Sequence, residues 1–319
     1  MTTAKAGESI VGLAPSEQGR SSGIAGSQRL VQRIDQNTAI CINPVFIVGA
    51  PRSGTTALGR ALSNHSDFWT SEETHILYWL FGNGRLADEF DRWKTRRASP
   101  TWFQAQDVGW EEFLAHLGLG FNALFTGRSW GRRWVDHTPY YVLMIDVLAP
   151  MFPGARFVHI LRDGRSVVHS MINVAVTLAD RERDQMRSGD FLPEWTNDFR
   201  EACKTWRTCA EAALSASSRY TDRCLTIRHD RLSADAHESF RAILAFLEAD
   251  YEPRPANYWR SNRINSSFNR GAGSTQIEGA RSWAKWTRDE RRTFVEECGE
   301  LLIALGFASK RDLRIDSKA

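Results

Sequence analysis

The sequence predicts an α/β fold in which a central parallel sheet is flanked by helices. From residue 44 onward, short apolar runs of strand length alternate with longer segments of helical periodicity. This alternation predicts parallel strands joined by right-handed helical crossovers, because two parallel strands need a long connection. The segments that predict strands are 45–49, 68–71, 133–136, 155–163 and 224–230.

Helical patterns stand between and after these strands. The segments that predict helices are 55–65, 142–151, 166–176, 197–217, 235–248 and 288–306. Segment 84–132 carries several tryptophans and many charges, which predicts an irregular helical insertion. Segment 180–190 is too polar to pack in a core and predicts a surface loop or lid.

Length and composition indicate one domain preceded by an arm. Residues 1–43 are rich in Ser, Gly, Gln and Ala without a sustained period, which predicts a flexible arm. Residues 44–319 are long enough for a single α/β domain. The 42% of apolar and 25% of charged residues are ordinary for a globular protein.

Charge, hydropathy and cysteine usage exclude several functional classes. A net charge of +3 is too small to indicate nucleic-acid binding. No uncharged apolar run reaches the roughly 18 residues of a membrane span, and the amino-terminal segment lacks the apolar stretch of a signal peptide. The five cysteines form no C-x-x-C motif, so neither zinc nor disulfides are indicated. We therefore expect a cytoplasmic protein without a membrane span or a nucleic-acid partner.

The stretch FIVGAPRSGTTALGRAL, residues 46–62, predicts an anion-binding loop between a strand and a helix. Gly49 and Gly54 have the spacing of the Walker motif G-x-x-x-x-G-K-[ST], but Thr55 stands where that motif has lysine. Because the lysine reaches the β- and γ-phosphates of a nucleoside triphosphate, its absence argues against ATP or GTP hydrolysis.

The loop still offers donors for a tetrahedral anion. Its backbone N–H groups, together with the dipole of the helix that begins near Gly54, favour phosphate or sulfate. The guanidinium of Arg52 suits bidentate contact with such an anion. Further hydroxyl donors are expected from Ser53, Thr55 and Thr56.

A second polar cluster, LRDGRSVVHSMI at 161–172, follows a predicted strand. Arg162 at the strand end and Ser170 in the next helix suit one phosphate group, by a charged fork and a hydroxyl bond. A third cluster, DHTP at 136–139, follows another strand. Because the carboxyl ends of parallel strands meet at one edge of a sheet, we expect the loop and both clusters to face one cleft.

APRSGTTAL and LRDGRSVVHSMI resemble the 5′-phosphosulfate loop and the 3′-phosphate motif of sulfotransferases that use 3′-phosphoadenosine 5′-phosphosulfate (PAPS). Tyrosylprotein sulfotransferases are the most similar in motif, since they also combine PRSGTT, an EET segment and RDGR followed by VHSMI. The resemblance covers roughly 44–307 in layout, with close similarity in short blocks. It implies a three-layer P-loop-type fold, PAPS as the sulfuryl donor and no metal.

The resemblance also implies a base for the acceptor hydroxyl. It places this base on Glu73, the second glutamate of SEETHIL, whereas we expect Glu72 to cap the following helix. A glutamate is a weak base at neutral pH unless it is partly desolvated. We expect the apolar surroundings to come from Trp69, Tyr78 and Trp79.

His137 in DHTP departs from the family pattern, in which a lysine stabilises the transferring group. A protonated imidazole at this position would donate to the bridging oxygen, or His137 would itself be the base. Arg52 would then carry more of the charge on the leaving phosphate.

Three residues are matched to the far end of the cofactor by the same resemblance. His229 stands where relatives have an aromatic side chain beside adenine. Ser274 and Lys285, in GSTQIEGARSWAKW, match the carboxy-terminal cofactor loop of the family, which is a few residues shorter here.

Two other functions are compatible with such a loop. One is a P-loop nucleotide kinase or NTPase, against which the missing lysine counts; the other is a non-catalytic module that only binds PAPS or another nucleotide. For a sulfotransferase, the acceptor carries a free hydroxyl on a small metabolite, lipid, glycan or phenol. We expect segments 76–130 and 176–196 to form the acceptor pocket, and the tryptophans of the first favour an apolar or ring-bearing acceptor.

Overall fold

The computed structural model describes residues 31–36, 38–95, 101–173, 194–196, 198–262 and 282–315. The strands of these residues are β1 (Val31–Arg33), β2 (Ala39–Cys41), β3 (Val45–Val48), β4 (Phe68–Thr70), β5 (Arg133–Asp136), β6 (Arg156–Leu161) and β7 (Cys224–Arg228). The last five form one parallel sheet in the order β4-β5-β3-β6-β7. All five predicted strand segments are therefore confirmed.

The middle of the sheet is β3, which pairs with β5 on one side and with β6 on the other. Phe46 lies opposite Asp136 of β5, and Val48 lies opposite His159 of β6. Because all five strands run in the same direction, their carboxyl ends lie at one edge of the sheet. The anion-binding loop, DHTP and RDGR all leave strands at this edge, as the sequence predicts.

The helices of the described residues are α1 (Thr55–Leu62), α2 (Ile76–Phe81), α3 (Arg85–Thr95), α4 (Trp102–Ala105), α5 (Trp110–Thr126), α6 (Ile145–Met151), α7 (Gly164–Ile172), α8 (Phe199–Arg219), α9 (His229–Ala234), α10 (Ala236–Phe246), α11 (Pro253–Ser261) and α12 (Arg288–Ala304). Short 3₁₀ helices span Pro139–Met144 and Glu194–Thr196. The helix predicted at 142–151 is thus divided, and its first part joins a 3₁₀ turn that begins at proline, whose fixed φ suits a helix start.

Alternation along β3 explains why helices cover both faces of the sheet. Phe46 and Val48 pack into one apolar cluster, and Val45 and Ile47 pack into another on the opposite face. The first cluster includes side chains of α5, α6, α8 and α12, and the second those of α1, α10 and α11. Two helical layers around one sheet confirm the predicted three-layer α/β fold.

The insertion between β4 and β5 is more regular than predicted. It contains α3 and α4, and α5 is a 17-residue helix that packs against α6. The predicted surface loop at 180–190 lies outside the described residues.

The predicted arm, 1–43, is described only from residue 31 onward. In this part β1 and β2 pair as an antiparallel hairpin. The N–H group of Cys41 donates to Asn122 Oδ1 (3.0 Å) and to Thr126 Oγ1 (2.9 Å), so the hairpin is anchored on α5. The domain boundary at residue 44 stays a prediction.

Across the described stretches, no helix combines the length and apolarity that crossing a membrane requires. The cytoplasmic location expected from the sequence stays a prediction.

Candidate active site

The loop between β3 and α1 forms a backbone cradle. Gly54 precedes the first residue of α1 and has φ 108°, a conformation that suits glycine. Gly49 lies so close to β6 that a Cβ atom would stand 2.8 Å from the carbonyl oxygen of Ile160. Because the first N–H groups of a helix lack intrahelical acceptors, the start of α1 presents donors towards this cradle.

The hydroxyl groups of the loop do not all face a ligand. Ser53 is buried and its Oγ donates to the carbonyl oxygen of Ala50 (2.6 Å). Thr56 Oγ1 donates to Glu73 Oε1 (2.7 Å), and Thr55 is buried. From the sequence, we expected all three hydroxyl groups to donate to the anion. The hydroxyl groups of Ser53 and Thr56 instead donate to acceptors within the protein. Thr56, in the first turn of α1, can still offer an anion its backbone N–H group, whereas the N–H group of Ser53 donates to the carbonyl oxygen of Ala50 (3.1 Å).

Arg52, Arg162 and Ser170 converge beside this cradle, although 118 residues separate the first from the last. Arg52 Nε donates to Ser170 Oγ (3.2 Å), and an Nη atom of Arg162 donates to the carbonyl oxygen of Arg52 (3.1 Å). Burial first, and then the charge of Arg162, lower the pKa of the Arg52 guanidinium, while Glu73 opposes this. Two guanidinium groups held this close would be stabilised by a bound anion.

The RDGR motif has two separate roles. Asp163 caps α7 by accepting from the N–H group of Arg165 (2.9 Å), and its carboxylate also binds the guanidinium of Arg165 (2.7 Å). Both side chains are buried, and Arg165 donates further to the carbonyl oxygen of Phe307 (3.0 Å). Asp163 and Arg165 therefore hold the end of β6 in place, and Arg162 faces the cradle.

Glu73 lies over the first turn of α1, between two imidazoles. Its Oε2 is 3.2 Å from His75 Nε2, and its Oε1 is 3.8 Å from His137 Nδ1. Burial by itself raises the pKa of Glu73, but its interactions with His137, His75 and Thr56 outweigh burial and lower the pKa to about 2. The polar partners thus outweigh the apolar surroundings that the sequence led us to expect, and the carboxylate is strongly stabilised as an anion.

The neighbouring Glu72 does not cap α2. Its carboxylate is exposed and pairs with Arg60 of α1 at 3.3 Å.

His137 is fully buried at the end of β5. Its Nε2 lies 3.0 Å from the carbonyl oxygen of Ser71, and its ring packs on α1, where a Cβ at Gly59 would stand 2.5 Å from Cδ2. Burial lowers the pKa of His137, but Glu73 and Asp136 outweigh this and raise it. The buried ring faces Glu73 and confines that carboxylate on one side, and its burial argues against His137 as the base.

A buried polar network behind Glu73 was missed by sequence reasoning. Thr74 Oγ1 lies 2.6 Å from Asp136 Oδ2 and 2.8 Å from Tyr141 Oη, and the Tyr141 hydroxyl also accepts from the N–H group of Leu77 (3.2 Å). Asp136 further accepts from the N–H group of Thr138 (2.8 Å). The network ties the segment after β4 to the segment after β5. A signal was present in the polar residues that directly follow each strand.

Of the predicted adenine-side residues, His229 lies against the loop. A Cβ at Gly54 would stand 3.3 Å from His229 Cδ2, and the imidazole meets Trp259 edge to face at 5.6 Å. Burial, followed by the charge of Arg162, lowers the pKa of His229 well below its usual value, so the ring is neutral. Its contact with adenine stays a prediction.

Lys285 is exposed and acts on α7 through its charge. Burial first and Lys285 second lower the pKa of His169, the residue before Ser170. Lys285 therefore lies within electrostatic range of α7, and its contact with the cofactor stays a prediction. Ser274, its predicted companion, lies outside the described residues.

No group of three or more His, Cys, Asp or Glu side chains that could hold a metal ion occurs in the parts of the chain that the structure describes. All five cysteines are free thiols.

The chain is similar to known sulfotransferases. Residues 44–253 match the family described as "Sulfotransferase family". Protein-tyrosine sulfotransferase 1 of Danio rerio is 30% identical over 210 residues, which cover 64% of this chain and 52% of the relative. Protein-tyrosine sulfotransferase 2 of Gallus gallus is 28% identical over 205 residues, covering 64% and 50%. The chain thus spans about half the length of these relatives.

Solved structures show a weaker likeness. The sulfotransferase domain of the Synechococcus PCC 7002 olefin synthase has a TM-score of 0.49 and 19% identity, over 84% of this chain and 95% of that domain. The family is shown by the sequence match. Because that match covers residues 44–253, well over half of the chain, this protein belongs to the sulfotransferase family.

Proposed function

We propose that this protein transfers a sulfuryl group from PAPS to a phenolic hydroxyl. One observation carries the proposal: Arg52, Arg162 and Ser170, from three separate segments, converge at the backbone cradle between β3 and α1. Guanidinium groups and helix N–H groups are the donors that proteins use for phosphate and sulfate. The family match directs this anion site towards PAPS rather than towards another phosphate compound.

The residues present fit the two anionic ends of PAPS. The backbone N–H groups of the loop and Arg52 would hold the 5′-phosphosulfate, while Arg162 and Ser170 would hold the 3′-phosphate. Bound there, PAPS supplies an activated sulfuryl group. The protein's own contribution is to neutralise the charge of the leaving phosphate through Arg52 and to exclude water from the cradle.

The same geometry disfavours a nucleoside triphosphate. In a P-loop NTPase, the Ser or Thr that follows the lysine binds Mg²⁺ through its hydroxyl. Thr56 occupies that position here, and its hydroxyl donates to Glu73 instead. Thr55 stands where the lysine would be. The loop therefore offers neither the lysine nor the free hydroxyl group for magnesium that an NTPase needs.

Glu73 stands close to the point where an acceptor would meet the sulfuryl group, since it is bonded to the first turn of α1. His137 holds it from behind and His75 from the open side. A proton that leaves the acceptor hydroxyl would pass into this group of one carboxylate and two imidazoles.

A phenol is the acceptor that we favour among metabolite, lipid, glycan and phenol hydroxyls. Both relatives named above are protein-tyrosine sulfotransferases. In this chain, Trp79 is 70% exposed and stacks with His75 beside Glu73, with ring centroids 5.8 Å apart. An exposed aromatic face next to the reacting group suits an acceptor that is itself a ring.

Calorimetric titration tests the donor site. We expect the protein to bind 3′,5′-adenosine bisphosphate (PAP) more tightly than ATP with magnesium. Arg162→Ala removes charged hydrogen bonds and should weaken PAP binding by about 10- to 100-fold. Ser170→Ala removes one neutral hydrogen bond and should weaken it by about 2- to 10-fold.

The matched control is Arg128→Ala. Arg128 is exposed, donates to the carbonyl oxygen of Leu124 four residues earlier, and precedes β5, so it lies towards the opposite edge of the sheet. Its substitution should leave the PAP dissociation constant unchanged. Tighter binding of ATP with magnesium, or PAP binding that ignores Arg162→Ala, would refute the proposal.

Transfer itself is measured with sulfur-labelled PAPS and three acceptors: a tyrosyl peptide, a simple alcohol and an oligosaccharide. We expect label only on the tyrosyl peptide. Label on the alcohol or the oligosaccharide would support PAPS as the donor but would show that the acceptor is not limited to phenols.

A further inference from the structure

The carboxylate of Glu73 is already occupied by the protein. Oε1 accepts from Thr56 (2.7 Å) and lies 3.8 Å from Nδ1 of the buried His137 ring, and Oε2 lies 3.2 Å from His75 Nε2. A carboxylate that is satisfied in this way gains little from taking another proton. Its pKa of about 2 agrees with this view. The arrangement suits Glu73 as an anchor and makes it a poor base.

His75 is the partner of Glu73 that solvent and an acceptor can reach. Its side chain is 36% exposed, whereas the side chain of His137 is fully buried. His75 begins α2 as its N-cap residue, yet its side chain makes no capping bond to that helix. The ring is therefore directed to Glu73 and not to the backbone that it precedes.

Several contacts hold His75 in this position. Its backbone N–H donates to Thr138 Oγ1 (3.4 Å), and the preceding residue, Thr74, is bonded to Asp136 (2.6 Å). Its ring stacks with Trp79 at an interplanar angle of 20°. A φ of 51° places the residue in the left-handed region, where histidine is more common than most side chains. The position is thus defined by both the β4 and the β5 segments.

We propose, on the basis of the function proposed above, that His75 accepts the acceptor's proton and that Glu73 orients its ring. A carboxylate that accepts from Nε2–H leaves Nδ1 as the basic nitrogen. As the acceptor oxygen forms its bond to sulfur, the bond from sulfur to the donor phosphate oxygen breaks. The proton moves from the acceptor oxygen to Nδ1 of His75, and the electron pair of the broken bond stays on the phosphate.

The charges around His75 are compatible with this role. Glu73 faces its ring directly, and the buried Asp136 lies behind the segment through Thr74. His137 faces Glu73 rather than His75, and the guanidinium of Arg52 also interacts with Glu73. An imidazolium formed during transfer is therefore stabilised by the carboxylate it already contacts.

Nuclear magnetic resonance of histidine-labelled protein tests the arrangement without turnover. We expect His75 to carry its proton on Nε2 in the neutral ring, and Glu73→Gln to shift the ring nitrogen signals of His75. His116→Gln is the matched control, because His116 is exposed on α5 and bonds to its own helix at Glu112. It should not alter the His75 signals. A proton on Nδ1, or no response to Glu73→Gln, would overturn the proposal.

Kinetics supply the second test, with PAPS and a tyrosyl peptide. His75→Gln should lower kcat/KM by about 10²- to 10⁴-fold, the usual contribution of a general base, with an unchanged PAP dissociation constant. The acidic limb of the pH–rate profile should disappear in the same variant. With a nitrophenol that is already ionised as the acceptor, the loss should nearly vanish, since no proton remains to be removed.

Rescue by added imidazole distinguishes the residue that accepts the proton from the residue that orients it. It should restore activity to His75→Gly and have no effect on Glu73→Gln. If His75→Gln keeps full activity with the tyrosyl peptide while Glu73→Gln removes the acidic limb, Glu73 is the base and the proposal is wrong. Failure of the unaltered protein to bind PAP would instead overturn the proposed function itself.

Discussion

The Glu73 carboxylate should make the stability of the protein depend on pH in a way that a single substitution reveals. Its pKa is about 2 in the folded protein, against 4.5 for a free glutamate. Each pKa unit corresponds to about 1.4 kcal/mol, so this difference corresponds to about 3 kcal/mol of unfolding free energy. The side chain is 26% exposed, and solvent screening reduces the expected value to about 1–2 kcal/mol.

The sign follows from the direction of the shift. Because folding lowers the pKa of Glu73, its stabilising contribution is present above pH 4.5 and is lost as the pH falls towards 2. The stabilising contribution of His137 depends on pH in the opposite direction. Folding raises the pKa of His137, so its contribution is present below pH 6.5 and is lost at higher pH. The pair should stabilise the protein most between about pH 5 and 6.

This contribution can be isolated by urea unfolding of the wild type and of Glu73→Gln from pH 2.5 to 8. The contributions of the other carboxylates cancel in the difference between the two unfolding free energies. We expect the difference in unfolding free energy to be largest near pH 5 to 6 and to fall by about 1–2 kcal/mol towards pH 2.5. Glu72→Gln is the control, since this neighbouring carboxylate is 86% exposed and forms only a surface pair. A difference between wild type and Glu73→Gln that does not vary with pH would refute the reasoning.

Two further substitutions, one of them with a matched control, test the packing and the buried ion pair that support the site. Gly59→Ala places a methyl group 2.5 Å from the ring of His137 and should destabilise the protein by about 1–3 kcal/mol in urea unfolding, although alanine favours helices. Gly120→Ala, in α5 with no atom within 4 Å of the new Cβ, should stabilise by up to about 1 kcal/mol, and equal effects of the two would contradict the packing argument. Arg165→Met leaves the buried Asp163 without its counter-charge and should cost about 3–5 kcal/mol in the same measurement. A loss below about 1 kcal/mol, typical of exposed ion pairs, would show that this pair does not hold the end of β6.

Local pattern determined the elements of the fold. The strand predicted at 133–136 has the bounds of β5, and the loop at 49–54 follows β3 as predicted. Strand and helix periodicity are properties of neighbouring residues, so a single sequence reveals them. The parallel order then follows from the helical segments between strands, which is why the meeting of the loop, DHTP and RDGR at one edge was also predictable.

The separation of roles within each motif was not predictable. RDGR reads as one motif, yet Arg162 faces the cradle while Asp163 and Arg165 form a buried pair. Ser53 and Thr56 read as equivalent hydroxyl donors, yet one bonds to Ala50 and the other to Glu73. Rotamers and partners depend on which neighbours the fold supplies, and sequence spacing carries no record of them.

The sequence by itself therefore determined the α/β architecture, the anion-binding loop and the resemblance that led to the sulfotransferase family. Only the tertiary structure decided that His137 is buried, that His75 is the exposed imidazole beside Glu73, and that the carboxylate is held as an anion. The physical reason is the separation along the chain between the residues that interact. Hydrogen bonds within a turn or a helix join residues a few positions apart, whereas burial and pKa at this site depend on β4, β5 and α1 meeting in space.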